Sequence, residues 1–409
     1  MRASSGAIAR RIAGTLRPLM RPHFTDGNRI RLLGSAQHYF PELLAAIAGA
    51  RRLVHLETYI FADDDVGRSV VDALAAAARR GLEVRVLIDG FGGGEFARQL
   101  AVRLPEDGVQ VRIYRPQRWW RPRRQLLRRM HRKLVVVDDR LAFLGGINID
   151  DNPLRDEFTG EPIGPRFDIA VECEGPIVAA IATAMRRLWW GVAVANWREI
   201  SEPPPRRVRP PRPLQGGVRA ALLLRDNFRN RRSIEHSYLG SLRAARRQIL
   251  LASAYFLPGR RFRGALVRAA RRGVRVRLLL QGRVEYRLQH YAQRALYGQL
   301  LAAGIEIYEY RRSYLHAKAA VVDEDWATVG SSNIDPLSLL LAREANVVVR
   351  AREFAEELRG LIESAMGDGA RLLHASDFAR RSWPERVRDW IAYGLVRAAT
   401  VVLARGNNY

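Results

Sequence analysis

Two stretches of this chain repeat each other: RRGLEVRVLIDG at 79–90 matches RRGVRVRLLLQG at 271–282, position by position in pattern. An internal duplication of this length constrains the fold more than any single motif, because both copies must adopt one architecture. Each copy closes a helix at a glycine and opens a β-branched strand. Ahead of each lies another strand, LVHLETYIF at 53–61 and ILLASAYFL at 249–257, with an Ala- and Arg-rich helix between strand and glycine. After each come a further helix and a strand, Gly108 to Tyr114 and Gly304 to Tyr310. Alternating strands and helices predict an α/β fold of two duplicated halves. Each half is expected to be a mostly parallel sheet flanked by helices, and the two to pack with pseudo-twofold symmetry.

Between the copies runs SEPPPRRVRPPRPLQGG, 201–217, whose prolines forbid a helix or an inner strand. The expected organisation is a basic N-terminal arm at 1–26, a first half at 27–200, this extended linker at 201–217, a second half at 218–370 and a C-terminal amphipathic segment at 371–409. The last contains a helical face of Val387, Trp390, Ile391, Leu395, Ala398, Val401 and Val402, which suits a helix lying in a membrane interface or docked on the protein's own core. No stretch reads as a transmembrane helix, and the N-terminus lacks the apolar centre of a secretory signal.

The formal charge of +26 predicts attraction to a polyanion, whether nucleic acid, anionic phospholipid or a phosphate ester, and does not choose among them. A lone cysteine, Cys173, excludes an intramolecular disulfide framework and a thiolate cluster. Of the 68 basic residues only two are lysine, Lys133 and Lys318. Where arginine serves everywhere else, a surviving ammonium marks a place that needs a compact, rotatable charge.

Both lysines fall at equivalent points of the duplication. The first copy reads His131, Lys133, Asp138, Gly145, Gly146, Asn148, and the second His316, Lys318, Asp323, Gly330, Ser331, Asn333, with identical spacing. For two lysines scattered among the basic positions this pairing is roughly a one in 2,000 coincidence. On a strand, residues i and i+2 share a face, so each histidine projects with its lysine. A pseudo-twofold packing would bring both pairs to one cleft suited to phosphoryl transfer on a diester. One imidazole attacks phosphorus, the other protonates the leaving alkoxide, and ammonium and amide groups hold the remaining oxygens. This chemistry calls for no metal or other cofactor, and neither copy carries a zinc-type ligand set.

These residues resemble the phospholipase D superfamily, whose signature, His-x-Lys-x4-Asp-x6-Gly-Ser-x-Asn, is normally present twice. Within it the chain is most similar to the B type of bacterial cardiolipin synthases, in stretches such as LETYIFADDDVG at 56–67, MHRKLVVVDDRLAFLGGINI at 130–149 and VGSSNIDPLSL at 329–339. The resemblance implies α/β/α halves, with His131 as the nucleophile that forms a phosphatidyl-histidine and His316 as general acid and then base. It groups Lys133, Asp138, Lys318 and Asp323 with them in the catalytic motifs, the two aspartates as structural anchors of the motif strands. Asn148, Ser331 and Asn333 would bind phosphoryl oxygens, and Asp168 and Glu344 would orient the histidines. Gly146 departs from the motif serine and makes the halves unequal.

Nucleases, phospholipases and lipid synthases share this chemistry, so substrate must be read elsewhere. The segment PQRWWRPRRQLLRRM at 116–130 sets arginines beside tryptophans with no acid, and Arg118, Trp119, Trp120 and Arg121 are the expected lipid contacts, together with Trp390. The expected partners are phosphatidylglycerol, cardiolipin and an anionic membrane surface, and not nucleic acid. The expected place is the bacterial inner membrane, held peripherally. The expected reaction is phosphatidyl transfer between two phosphatidylglycerols with release of glycerol. The alternatives are a phospholipase D-type hydrolase and a metal-independent endonuclease.

Overall fold

The computed structural model describes residues 22–116, 128–151, 160–195, 204–226, 230–335 and 342–405. The first half runs β1 (Thr25–Leu33), α1 (Ala36–Ala48), β2 (Leu53–Thr58), α2 (Asp65–Arg79), β3 (Glu83–Asp89), α3 (Gly94–Arg103), β4 (Gln110–Tyr114), β5 (Lys133–Val137), β6 (Leu141–Gly145), β7 (Ala170–Glu174) and α4 (Ile177–Ala195). The second repeats the order as β8 (Val218–Arg225), α5 (Ser233–Ala244), β9 (Gln248–Ser253), α6 (Arg260–Arg271), β10 (Arg275–Gln281), α7 (Arg287–Arg294), α8 (Tyr297–Leu301), β11 (Glu306–Tyr310), β12 (Lys318–Val322), β13 (Trp326–Gly330), β14 (Glu344–Arg350) and α9 (Arg352–Gly369). Then follow β15 (Ala370–Leu373), α10 (Ala375–Ala379) and α11 (Trp383–Arg405). The glycines that punctuate the repeat, Gly81 and Gly273, have φ of 85° and 89°. They end α2 and α6 in the left-handed conformation that a side chain would resist.

The strands form one sheet in the order β15-β11-β10-β9-β12-β13-β14-β8-β1-β7-β6-β5-β2-β3-β4. Apart from β15 the order is the same read outward from the β8–β1 seam, which is the pseudo-twofold relation that the duplication predicts. Between the named strands of the described residues, parallel pairing is confined to β2–β3–β4 and β9–β10–β11, where helices make the crossovers. The motif strands pair antiparallel, β5 with β6 and β12 with β13. The expected mostly parallel sheet therefore holds only for the outer strands: Asp138 to Arg140 is too short a connection for a helical crossover, so the chain turns straight back as a hairpin. β1 begins at Thr25, inside the stretch expected to be a basic arm, and β15 adds an edge strand to β11 from the segment expected to begin the C-terminal piece.

Three buried clusters organise the body. One lies under α1, α2 and α3, one under α5, α6 and α8, and the third joins the inner faces of both halves with α4 and α9. In that shared core β6 approaches β13 and β14 through small residues such as Ala142, Ala327 and Ala345. Strands β5 and β12 are buried throughout, as covered strands should be. Contrary to the sequence reading, α4 is long and apolar enough to cross a bilayer, but much of it, including Ile177, Ile181, Met185 and Trp189, is buried in the protein core.

Helix α11 uses two faces. Asp389, Ala392, Val396 and Thr400 are buried, with Ala392 and Val396 packed with Leu257, Ala292 and Leu296 of the second half. Trp390, Ile391, Leu395 and Val402 on the remaining surface are each more than half exposed.

Asp138 and Asp323 sit in these hairpins at φ of 53° each. The Asp138 carboxylate accepts from the backbone N–H groups of Arg51, Arg52 and Leu53 at 2.8–2.9 Å, and Asp323 does the same for Arg246, Arg247 and Gln248. Each ties the start of a parallel strand to a motif hairpin. Asp138→Asn keeps a residue tolerant of this backbone but presents an amide donor to three donors. It should cost about 1–3 kcal/mol, read as a lower urea midpoint at unchanged slope; an unchanged midpoint would remove the anchoring role.

Candidate active site

The histidines stand just before the motif strands, at the ends opposite Asp138 and Asp323. Two backbone ties fix each one. Met130 N–H donates to Asp89 (2.8 Å) and Leu315 N–H to Gln281 (2.7 Å), acceptors at matching places of the duplicated stretches. His131 N–H then donates to the Arg343 carbonyl (2.9 Å) and His316 N–H to that of Phe167 (2.8 Å), so each histidine backbone is held by the other half.

The side chains cross in the same way. His131 Nδ1 lies 3.1 Å from the Glu344 carboxylate, and His316 Nδ1 lies 2.5 Å from Asp168 Oδ2. A first-half histidine is oriented by a second-half acid, and the reverse. With Nδ1 occupied, each imidazole can turn Nε2 to the cleft. That cleft, about 390 Å³, is lined by both histidines, Tyr59, Asn148, Arg166, Tyr255, Glu285 and Gln289 among others.

Both lysines are buried, and each ammonium donates to the carbonyl of its own histidine residue, Lys133 at 2.7 Å. Lys133 Nζ also lies 5.3 Å from the centre of the Tyr59 ring, which meets His131 edge-on. Burial, reinforced by Lys318, pulls the Lys133 ammonium down to about 7, and burial pulls Lys318 down to about 8. Both imidazoles are pushed below their ordinary value by burial, His316 the further. The acids diverge. Burial pushes Asp168 up to about 6 despite Lys318. Burial also opposes the charge of Glu344, but His131, Lys133 and the Ser331 hydroxyl outweigh it and hold this carboxylate below its usual range.

Ser331 does not face the cleft as a phosphoryl-oxygen ligand. It is fully buried and donates to Glu344 Oε2 at 2.5 Å while accepting from Ala345 N–H. At the equivalent Gly146 a Cβ would lie 2.2 Å from Asp168 Oδ1, so no serine fits there without moving the acid. Asn148 lines the cleft and accepts from Ile60 N–H, whereas Asn333 is buried behind it with no partner for its Oδ1 among the described residues. Arg118, Trp119, Trp120 and Arg121 lie outside the described residues. Trp390 stands on the exposed face of α11, away from this cleft's lining.

The cleft residues that escaped the sequence reading include Arg166, Glu285, Tyr255 and Tyr59. Arg166 pairs with Glu285 at 2.7 Å, and the Tyr255 hydroxyl donates to the other Glu285 oxygen at 2.8 Å, bridging the halves. Tyr59 and Tyr255 occupy equivalent places in LVHLETYIF and ILLASAYFL, a signal that was visible without its meaning.

Paired His-x-Lys motifs, crossed onto acids of opposite halves within a duplicated α/β body, define a two-motif enzyme of the phospholipase D kind. A family model described as cardiolipin synthase, phospholipase D-like domain, matches residues 43–189 and 238–366, and the chain belongs to that family. It is an enzyme of the phosphatidyltransferase class. Cardiolipin synthase B of Escherichia coli K12 is 38% identical over 383 residues, covering 92% of this chain and 90% of that protein. Cardiolipin synthase A of Pseudomonas putida is 29% identical over 352 residues, covering 86% of this chain and 71% of that protein. In fold, the crystal structure of phosphatidylserine synthase from Haemophilus influenzae aligns over 97% of this chain and 99% of its own, at TM-score 0.70 and 13% identity.

Replacing either lysine by arginine keeps the charge but puts a planar fork into a fully packed position. Lys133→Arg and Lys318→Arg should each lower kcat by at least about 100-fold with the fold retained by circular dichroism; near-normal rates would show that any cation suffices. As pH rises through about 7, the buried Lys133 of the substrate-free protein loses its proton. The value of kcat/KM for an anionic diester should therefore fall on the alkaline side from near neutrality, while kcat, which reports the loaded enzyme, should fall only at higher pH. A flat kcat/KM from pH 6 to 9 would contradict this.

Proposed function

We propose that the chain is a peripheral membrane cardiolipin synthase that joins two phosphatidylglycerols and releases glycerol. The observation that carries this reading is the pair of crossed histidine–acid couples whose imidazoles line one cleft, each with a buried lysine bonded to its histidine's carbonyl. His131 Nε2 attacks the phosphorus of the first phosphatidylglycerol in line. The P–O bond to the headgroup glycerol breaks as His316 gives that oxygen a proton, leaving a phosphatidyl group on His131. The hydroxyl of a second phosphatidylglycerol then gives its proton to His316 and displaces the histidine, forming cardiolipin. Lys133, Lys318 and Asn148 hold the non-bridging oxygens.

His131 suits the nucleophile because its acid, Glu344, is held charged by His131, Lys133 and Ser331 and so stabilises the positive ring that phosphoryl attachment creates, whereas Asp168 beside His316 is lifted by burial. Asp138 and Asp323, though part of the motif, act as anchors and not on substrate.

The membrane part of the proposal rests on α11. Its exposed row of Trp390, Ile391, Leu395 and Val402 belongs to a helix packed on α7, and α7 contributes Gln289 to the cleft. Exposed Tyr286 and Leu288 continue the apolar rim at the same end. A bilayer covering that rim would present headgroups to the cleft, and the net charge of +26 favours an anionic inner membrane surface. Similarity to bacterial cardiolipin synthases supports the same reading.

Purified protein with phosphatidylglycerol vesicles and excess chelator should yield cardiolipin and glycerol in equal amounts. Phosphatidic acid alone would make it a hydrolase, and activity confined to single-stranded DNA would overturn the lipid reading. Trp390→Glu with Ile391→Glu should reduce co-sedimentation with anionic vesicles at least about tenfold while the fold is retained; unchanged sedimentation would remove α11 from the membrane contact.

A further inference from the structure

Beside the strip where Met130 pairs with Arg343, α4, the end of β8 and the extended segment 207–210 line a second cavity of about 840 Å³. It shares no lining residue with the reaction cleft. One wall is apolar: Ala180, Leu188, Val192 and Ala195 of α4 extend along roughly 22 Å of helix, accompanied by Val208 and Leu224. The cavity is also basic. Arg187, Arg207, Arg225 and Arg343 line it, and Asp226 is the one acid among the described lining residues.

Arg225 is the decisive group. It is 2% exposed and gives Nη1 to the Ala342 carbonyl, leaving Nε and Nη2 with no partner among the described residues. Buried guanidinium donors without acceptors are costly, and no carboxylate stands within ion-pair distance of this one among the described residues. Burial draws the Arg225 pKa down to about 10, although the charges of Glu344 and Asp226 oppose it. Arg132 also reaches this cavity but is committed to Glu57.

We propose that this cavity binds an anionic amphiphile, its acyl chain along α4 and its headgroup on Arg225 and Arg343. The ligand class is an acidic headgroup on a hydrocarbon chain, which a phospholipid or a free fatty acid would both supply. Arg225 is the register partner of Glu344 across β8 and β14, so the bound charge sits one strand away from the acid that orients His131. The site is independent of which lipid reaction the cleft performs.

The test uses the full chain with His131→Ala, so that lipid is not consumed, and counts bound dihexanoyl-phosphatidylglycerol, decanoate and inorganic phosphate by native mass spectrometry and calorimetry. Gly191 lines the cavity, and a Cβ there meets nothing within 4 Å, so Gly191→Phe fills the space without disturbing backbone. Gly191→Phe should remove one bound amphiphile, and Arg225→Met should weaken that binding at least about tenfold. If the cleft binds no phosphatidylglycerol the parent count falls from two to one, and Gly191→Phe still takes it to zero, which keeps this site distinct from the proposed reaction. Retention by phospholipid alone or decanoate alone names the source and supports the site. An unchanged count in Gly191→Phe, or inorganic phosphate binding as tightly as either amphiphile, overturns it. Should Arg225→Met fail to fold, Gly191→Phe decides alone.

Discussion

Each imidazole is held by an acid from the opposite half, and most of the structure can be understood as what that crossing demands. For Glu344 to reach His131 and Asp168 to reach His316, the strands that carry them must approach across the pseudo-twofold axis. The small side chains between β6 and β13–β14 permit that approach. The backbone bonds from His131 to Arg343 and from His316 to Phe167 fix its register, and the Arg166–Glu285–Tyr255 bridge adds a third tie. Neither half contains a complete site. A linker too proline-rich to fold into an element of its own is consistent with this, since its task is to connect two bodies that packing already aligns.

The crossing also gathers charges that would be costly to bury singly. Two lysines and two carboxylates lie within one buried cluster, each partly offsetting the others. The balance is incomplete, because burial draws both lysines down toward neutrality and lifts Asp168. In the proposed reaction an incoming phosphodiester anion offsets the burial of the lysines and favours their protonated forms.

Much of this was legible in the sequence because duplication makes a chain comment on itself. Gly81 and Gly273, Asp89 and Gln281, and the two lysines declared their equivalence before any coordinates, and the palindromic sheet follows from it. Hairpin pairing of β5 with β6 could be read only once the turn was located: three residues leave no room for a crossover, but the turn is made by aspartates at positive φ and not by the glycine that usually marks one. Nor was the crossing of the acids, which depends on how two halves pack and leaves no periodicity in either. The role of Ser331 was hidden for a related reason: a motif hydroxyl beside a phosphate chemistry reads as a ligand, and only packing shows that Glu344 claims it. The face of α11 was readable as amphipathic, yet its docked and exposed sides could be told apart only from what it packs against.

The one motif position where the halves disagree gives the proposed reaction its direction. Ser331 donates to Glu344 and adds to the effect of His131 and Lys133 in keeping it an anion, whereas Gly146 leaves room for Asp168 and gives it no hydroxyl. With both lysines protonated, both acids ionised and both imidazoles neutral, the cluster carries no net charge. Arrival of a monoanionic diester then favours uptake of one proton. At His131 that proton would block the lone pair that must attack phosphorus. In the proposed reaction it is held by the His316–Asp168 couple, whose carboxyl burial already lifts to about 6, and His316 passes it to the leaving glycerol. This asymmetry of the two acids is what, in the proposed reaction, would distinguish the histidine that attacks from the one that carries the proton.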